Sequence, residues 1–243
     1  GLGYGFLFLL GLRSVRVQWI SFAAILIGYW LLFALYPLPG PDFDWAAIGL
    51  SPDWQGNLTG FAAHWNKNTN PAWAFDAWFL NLFPQKTPFV ANGGGYATLS
   101  FIPTLATMIL GLITGNMLRS EKTNQQKIRW MLVAGVIAVF SGWLLGVLGI
   151  CPVVKRIWTP SWVLFAGGWS LLLLAAFYTV IDTIQIKKWS FPLIVIGMNS
   201  IAAYLIADAF GGLISGVLGF VPGERFFALP GASYAPLFEG VIV

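Results

Sequence analysis

Charge is scarce in this sequence. Only 9% of its 243 residues are Asp, Glu, Lys or Arg, against about 25% in a soluble domain. So few charges cannot keep a soluble fold of this size dispersed. Cysteine and histidine are scarcer still, with one of each, Cys151 and His64. A lone cysteine excludes an internal disulfide and a thiolate cluster, and Cys151 is expected to be a small buried hydrophobe. One histidine and one cysteine cannot furnish a metal site. Nucleotide fingerprints are missing as well. Asn92-Gly93-Gly94-Gly95 has no strand pattern before it and no Gly-Lys-Ser/Thr after it.

Apolar runs are what the chain has in abundance. Hydrophobic residues make up 58% of it. Trp19–Pro37 and Trp130–Ile150 contain no charged residue, and each is long enough to cross the roughly 30 Å of a bilayer core as a helix. The pattern predicts an all-α, polytopic transmembrane helix bundle. Helices are expected at about 1–12 (partial), 19–37, 97–118, 130–150, 161–182 and 191–210, with a long ordered extracytoplasmic segment at 38–96. A less regular stretch, 211–221, reads as a short or re-entrant piece. The first residue is glycine, the first apolar run is half a span, and the last residues open a new apolar segment. The sequence is therefore expected to be part of a longer protein.

Basic residues orient the bundle. Arg13 and Arg16, then Arg119, Lys122, Lys127 and Arg129, then Lys187 and Lys188 all fall on one face if each helix crosses once, and that face is expected to be cytoplasmic. The expected setting is a bacterial cytoplasmic (inner) membrane. Lys155 and Arg156 fall on the opposite face and break the sign rule. Trp19, Trp130, Trp158, Trp162 and Trp189 sit at predicted helix ends, where indoles favour the headgroup level. Glycines recur four apart at Gly111/Gly115, Gly142/Gly146 and Gly212/Gly216, a spacing that lets helices approach closely within one bundle or between copies. The expected partners are the lipid bilayer and either a homodimer or a larger membrane complex, with no nucleic acid.

The segment 38–96 holds five tryptophans, too much aromatic surface to leave in water. Phe75–Phe83 is expected to lie on the membrane surface or to cap the bundle. A connection this long is usually functional. His64 has a structural reading and a functional one, as a contact or proton carrier at a pocket mouth. Asn66, Asn68 and Asn70 alternate beside it, with donors and acceptors suited to hydroxylated ligands. Asn92 opens a glycine turn just outside the helix near Thr98. Backbone N–H groups there would either bind an anion or carbonyl oxygen, or belong to a flexible turn. Ser100, Thr104 and Thr107 share one helix face, suited to lining a polar cavity or to back-bonding onto the helix. Asp208 is expected in or near the membrane, where a carboxylate is a functional candidate. Asn199 and Ser200 lie deeper on the same predicted helix, with Asn199 and Asp208 on opposite faces.

Three stretches carry a resemblance. NGGGYATLSFIPTLATMILGLITGNMLR, KRIWTPSWVLFAGGWSLLLLAAFYTVID and FPLIVIGMNSIAAYLI resemble, in order and spacing, the C-terminal half of the membrane acetyltransferases related to heparan-α-glucosaminide N-acetyltransferase. The resemblance implies acetyl transfer from cytoplasmic acetyl-CoA, as co-substrate, to an amine or hydroxyl of an extracytoplasmic sugar. It also implies that Asn92, Asn199 and Ser200 face a shared cavity. The family's catalytic histidine lies in its N-terminal half, which has no counterpart here, and His64 does not inherit that role. Arg119, Lys122, Lys127 and Arg129 would hold the coenzyme's phosphates, or would serve topology alone. Two other classes fit the same residues: a non-enzymatic subunit of a larger membrane complex, and a small-solute transporter.

Overall fold

A chain this apolar must satisfy its backbone internally, and it does so with helices. The computed structural model describes residues 2–201 together with Tyr204 and Leu205, and among them there is no strand. Two compact units divide the chain, Gly1–Thr183 and Ile184–Val243.

In the first unit, α1 (Leu2–Gly11) is a half-length helix, and α2 (Val15–Ala34), α4 (Phe101–Arg119), α5 (Asn124–Val147) and α6 (Pro160–Phe177) are the long ones; α3 (Pro71–Phe79) lies in the long connection. A 3-10 turn at Thr98–Ser100 leads into α4, and a π-helical turn at Tyr178–Thr183 prolongs α6. With these extensions, four helices are long and apolar enough to cross a membrane. The protein is an all-α, polytopic integral membrane protein.

Local chemistry moves the helix ends away from the bare apolar runs. The third long span starts at Asn124, not 130, because Thr123 and Gln126 form a reciprocal capping box that draws a polar turn into the helix. The first starts at Val15, not 19. There Gln18 is buried and donates from Nε2 to the carbonyls of Leu10 and Arg13, closing the end of α1, while its Oε1 accepts from Asn116 of α4. This polar knot ties three helices at the basic end of the bundle.

Packing between α5 and α6 is the tightest in the unit. A Cβ at Gly142 would lie 2.6 Å from the Ser161 carbonyl oxygen, and one at Gly168 would lie 2.7 Å from that of Gly135. Only glycine permits those approaches. Phe22 and Leu26 of α2, Ala106, Ile109, Leu110 and Ile113 of α4, and Val163 and Leu171 of α6 form the main apolar core. The rest of α5 is apolar outward as well, with Val136, Ile137, Phe140 and Trp143 all exposed, as a lipid-facing helix should be.

The connection between α2 and α4 is ordered onto the end of the bundle opposite Gln18. Trp65 is buried and stacks on Phe33 of α2, 6.0 Å between centroids and 8° between planes. The Phe75–Phe83 stretch becomes α3 and a following 3-10 turn. Asp76 accepts from the Thr98 N–H with both carboxylate oxygens, at 3.2 and 2.9 Å, and so caps the start of the α4 span. Its tryptophans divide: Trp65 is buried, while Trp54 and Trp78 keep 40% and 60% of their surface exposed.

In the second unit α7 (Phe191–Met198) opens the helix expected at 191–210; Ser200, Ile201, Tyr204 and Leu205 are helical as well, and the rest of that range lies outside the described residues. Asn199 is the C-cap of α7, with φ −118° and ψ 34°. Asp208, the 211–221 stretch and the Gly212/Gly216 pair lie outside the described residues.

Candidate functional site

At the capped end of the first unit the long connection meets the α5–α6 loop, residues 148–159. That loop is built by two small hydroxyls. Thr159 Oγ1 donates to the Pro152 carbonyl at 2.8 Å and accepts from the Val154 N–H at 3.0 Å, and Ser161 Oγ reaches the same Pro152 carbonyl at 2.7 Å. Both residues are completely buried. Two aromatic side chains of α2 fix the loop from the side: Tyr29 Oη donates to the Ile157 carbonyl at 3.0 Å, and Trp30 Nε1 to that of Ile150 at 2.9 Å. Cys151, fully buried, accepts weakly from Ser161 Oγ. Burial pushes its thiol pKa up, and the Ser161 hydrogen bond offsets part of that rise.

Between loop and connection lies a cleft of about 360 Å³, lined among others by Trp54, Trp65, Asn66, Lys67, Lys155 and Arg156. Its volume is within the range of small-molecule sites. Lys67 Nζ donates to the Gly93 carbonyl at 2.7 Å and lies 5.5 Å from the Trp54 ring centroid. The Arg156 guanidinium lies 6.0 Å from the Tyr96 ring. Trp65 lines the cleft, and its Nε1 is buried away from the open space without a hydrogen-bond partner. Next to it, sharing Asn70, Gly95 and Ile157, is a polar cavity with room for one water, lined also by Asn68, Asp76 and Asn92.

The asparagines that attracted attention in the sequence build this end through their amides. Asn66 pairs with both backbone groups of Leu58, accepting at 2.7 Å and donating at 3.0 Å. Asn70 caps α3 by accepting from the Trp73 N–H, and donates to the Asn66 carbonyl. Asn68, at φ 55° where asparagine is among the few tolerated residues, donates to the carbonyls of Ile48 and Asn92. Asn92 Oδ1 accepts from the N–H groups of Gly94 and Tyr96, and its carbonyl accepts from Gly95. The glycine turn is therefore closed on itself. The expectation that its N–H groups stand free for an anion is corrected, because Asn92 occupies them. His64 is half-buried and lies against Phe61, with Nδ1 donating to the Tyr36 carbonyl at 2.8 Å. That bond assigns the proton to Nδ1 and leaves Nε2 as the free ring nitrogen.

A second cavity, about 250 Å³, runs as a groove between α4 and α6 inside the membrane-spanning part. Thr107, Gly111, Thr114, Gly115 and Leu118 line it from α4, and Gly167, Ser170 and Leu174 from α6. From Thr107 to Leu118 it extends about 16 Å along the helix. Its far end stops one residue before Arg119, beside the connection bearing Lys122 and the first turns of α5 bearing Lys127 and Arg129. At its near end, Thr107 Oγ1 accepts from Trp158 Nε1 at 3.1 Å. Trp158 has φ 52°, a left-handed conformation that a bulky residue rarely adopts. It follows Ile157, which lines the cleft, so the loop that walls the cleft also touches the groove wall through this bond.

Of the predicted hydroxyl face, only Thr107 lines the groove. Ser100 donates to the Ala97 carbonyl and Thr104 to that of Ser100, so both are spent on their own helix. In the second unit, Asn199 donates back to the Val195 carbonyl, and Asn199 and Ser200 are exposed. Trp158, Asp76 and Thr159 escaped the sequence reading as site-builders. The sign-rule violation at Lys155 and Arg156 was the signal that pointed to this loop.

No family model, curated protein or solved structure matches this chain.

Proposed function

We propose that this chain is part of a membrane acyltransferase that takes an acetyl group from cytoplasmic acetyl-CoA to a sugar amine or hydroxyl on the other side of a bacterial inner membrane. The observation that carries this reading is the Trp158–Thr107 hydrogen bond, which ties the loop that walls the cleft to the wall of the groove. The groove would admit the donor from the basic end, and the cleft would present the acceptor.

The groove's fit to a slender chain is supported by its glycines. A Cβ at Gly111 or Gly115 meets nothing within 4 Å, so both positions border open space along the groove that a larger side chain would occupy. Arg119, Lys122, Lys127 and Arg129 at the groove's far end would pair with the donor's phosphates. Bound there, the donor supplies a thioester carbonyl. An acceptor amine forms the C–N bond as the C–S bond breaks, and the thiolate leaves with a proton from the amine. Of the chain's own groups, the Thr107 hydroxyl lines the groove and is held in place by the Trp158 indole N–H, which leaves its own O–H suited to hold a carbonyl oxygen.

The test uses the full-length protein in detergent or nanodiscs. Acetyl-CoA should bind by calorimetry, and Gly111→Leu should abolish that binding while leaving the thermal unfolding midpoint unchanged. A well-folded protein that binds no acetyl-CoA would sink the reading and leave the structural-subunit alternative. Orientation is checked separately. A cysteine at Ser120 should be shielded from an impermeant thiol reagent in intact cells, and one at Gln55 labelled.

A further inference from the structure

Three cations sit where the sign rule gives no reason for them. Lys67, Lys155 and Arg156 converge on the cleft at the end of the bundle opposite the basic connections. Among the described residues none has a carboxylate partner, and their recorded contacts are a carbonyl and two aromatic faces. Carboxylates are present at this end but are directed elsewhere. Asp44 accepts from the Ala47 N–H, Asp76 is spent on Thr98 and faces the neighbouring cavity, and Asp42 and Asp53 do not line the cleft. The Lys67 ammonium is held by the Gly93 carbonyl, Arg156 lies against Tyr96, and the backbone that carries Lys155 and Arg156 is fixed by buried Thr159 and Ser161.

We infer that this cleft binds a small ligand bearing an oxyanion, with the negative group among Lys67, Lys155 and Arg156 and its body against Trp54 and Trp65. Three positive charges and an aromatic wall share one chemistry: the cations satisfy carboxylate, sulfate or phosphate oxygens while the indoles cover an apolar or ring face. The neighbouring asparagines do not compete for this role, since their amides are committed to backbone. The inference goes beyond acyl transfer and stands without it, because it concerns recognition at the cleft and not the groove.

Calorimetry on the full chain in nanodiscs of zwitterionic lipid tests it, with glucuronate, glucose and inorganic sulfate as probes. Glucuronate should bind, sulfate should compete with it, and glucose should bind at least about tenfold more weakly. Lys155→Ala combined with Arg156→Ala should weaken glucuronate by a similar factor at an unchanged unfolding midpoint, and Arg16→Ala at the far end should have no effect. If phosphatidylglycerol in the nanodisc competes with glucuronate, a lipid headgroup is the source of the same oxyanion. Equal binding of glucuronate and glucose, an unaffected Lys155/Arg156 double variant, or failure of both glucuronate and sulfate to bind would each overturn the inference.

Discussion

Two helix seams in this bundle use glycines of the same spacing for opposite ends. Along α5–α6, Gly142 and its neighbours remove side chains so that backbones can touch, and a Cβ at Gly142 would strike the Ser161 carbonyl and the Phe165 N and Cα. Along α4–α6, Gly111 and Gly115 remove side chains and nothing moves in to fill the room. The lesson is that a small-xxx-small pair is not by itself a packing motif. Its meaning depends on whether the partner helix closes on it. Where it does, the glycine contributes stability; where it does not, the glycine maintains a cavity.

Substitutions separate the two seams. The largest effect is expected from Gly142→Leu, which forces a side chain into backbone that cannot yield. It should cost more than about 4 kcal/mol or prevent folding altogether, seen as loss of a cooperative thermal transition. Gly111→Leu should change stability by less than about 1 kcal/mol while removing acetyl-CoA binding. If it proves as damaging as Gly142→Leu, the α4–α6 seam is closed and the groove does not exist as described. An intermediate cost is expected from Thr159→Val, which strands the N–H groups of Val154 and Trp162. The loss should be about 1–3 kcal/mol, with glucuronate affinity at the cleft falling in step because Lys155 and Arg156 lose their fixed loop. The smallest effect concerns Cys151. A thiol with a raised pKa and no exposure should resist a maleimide in the folded protein at neutral pH and react only on unfolding, read by mass spectrometry. Raised in the folded state, its pKa favours folding below the thiol's ordinary titration range, and that contribution fades as pH rises through the folded value.

Much of the architecture was legible because it depends on properties local in sequence. A run of apolar residues has a length, and a basic turn has a sign, so the spans and their alternation could be read directly. Helix ends were displaced by a few residues wherever a side chain capped them, as Thr123 and Gln126 do, because hydropathy does not register hydrogen bonds. The site was legible only as an anomaly, the misplaced Lys155 and Arg156. The residues that organise it act over long separations: Asp76 on Thr98, Trp158 on Thr107, Tyr29 on Ile157. Nothing in the immediate neighbourhood of these side chains announces such partners. The asparagines misled in the other direction. Their alternation looked like a ligand-binding surface, yet Asn66 and Asn70 spend their amides on nearby backbone in a way that composition cannot foretell.

The bonds from α2 to the α5–α6 loop have a consequence for biogenesis. Tyr29 and Trp30 wait on carbonyls that are synthesised 128 and 120 residues later, after the whole of α4 and α5 has been made. The cleft is consequently assembled late, after the helices that carry it are in the bilayer. Until then Trp65 and its neighbours form an unsheltered aromatic surface that a membrane chaperone would have to tolerate. A truncated nascent chain ending before Ile150 should leave segment 38–96 open to protease, and one extended past Ser161 should close it.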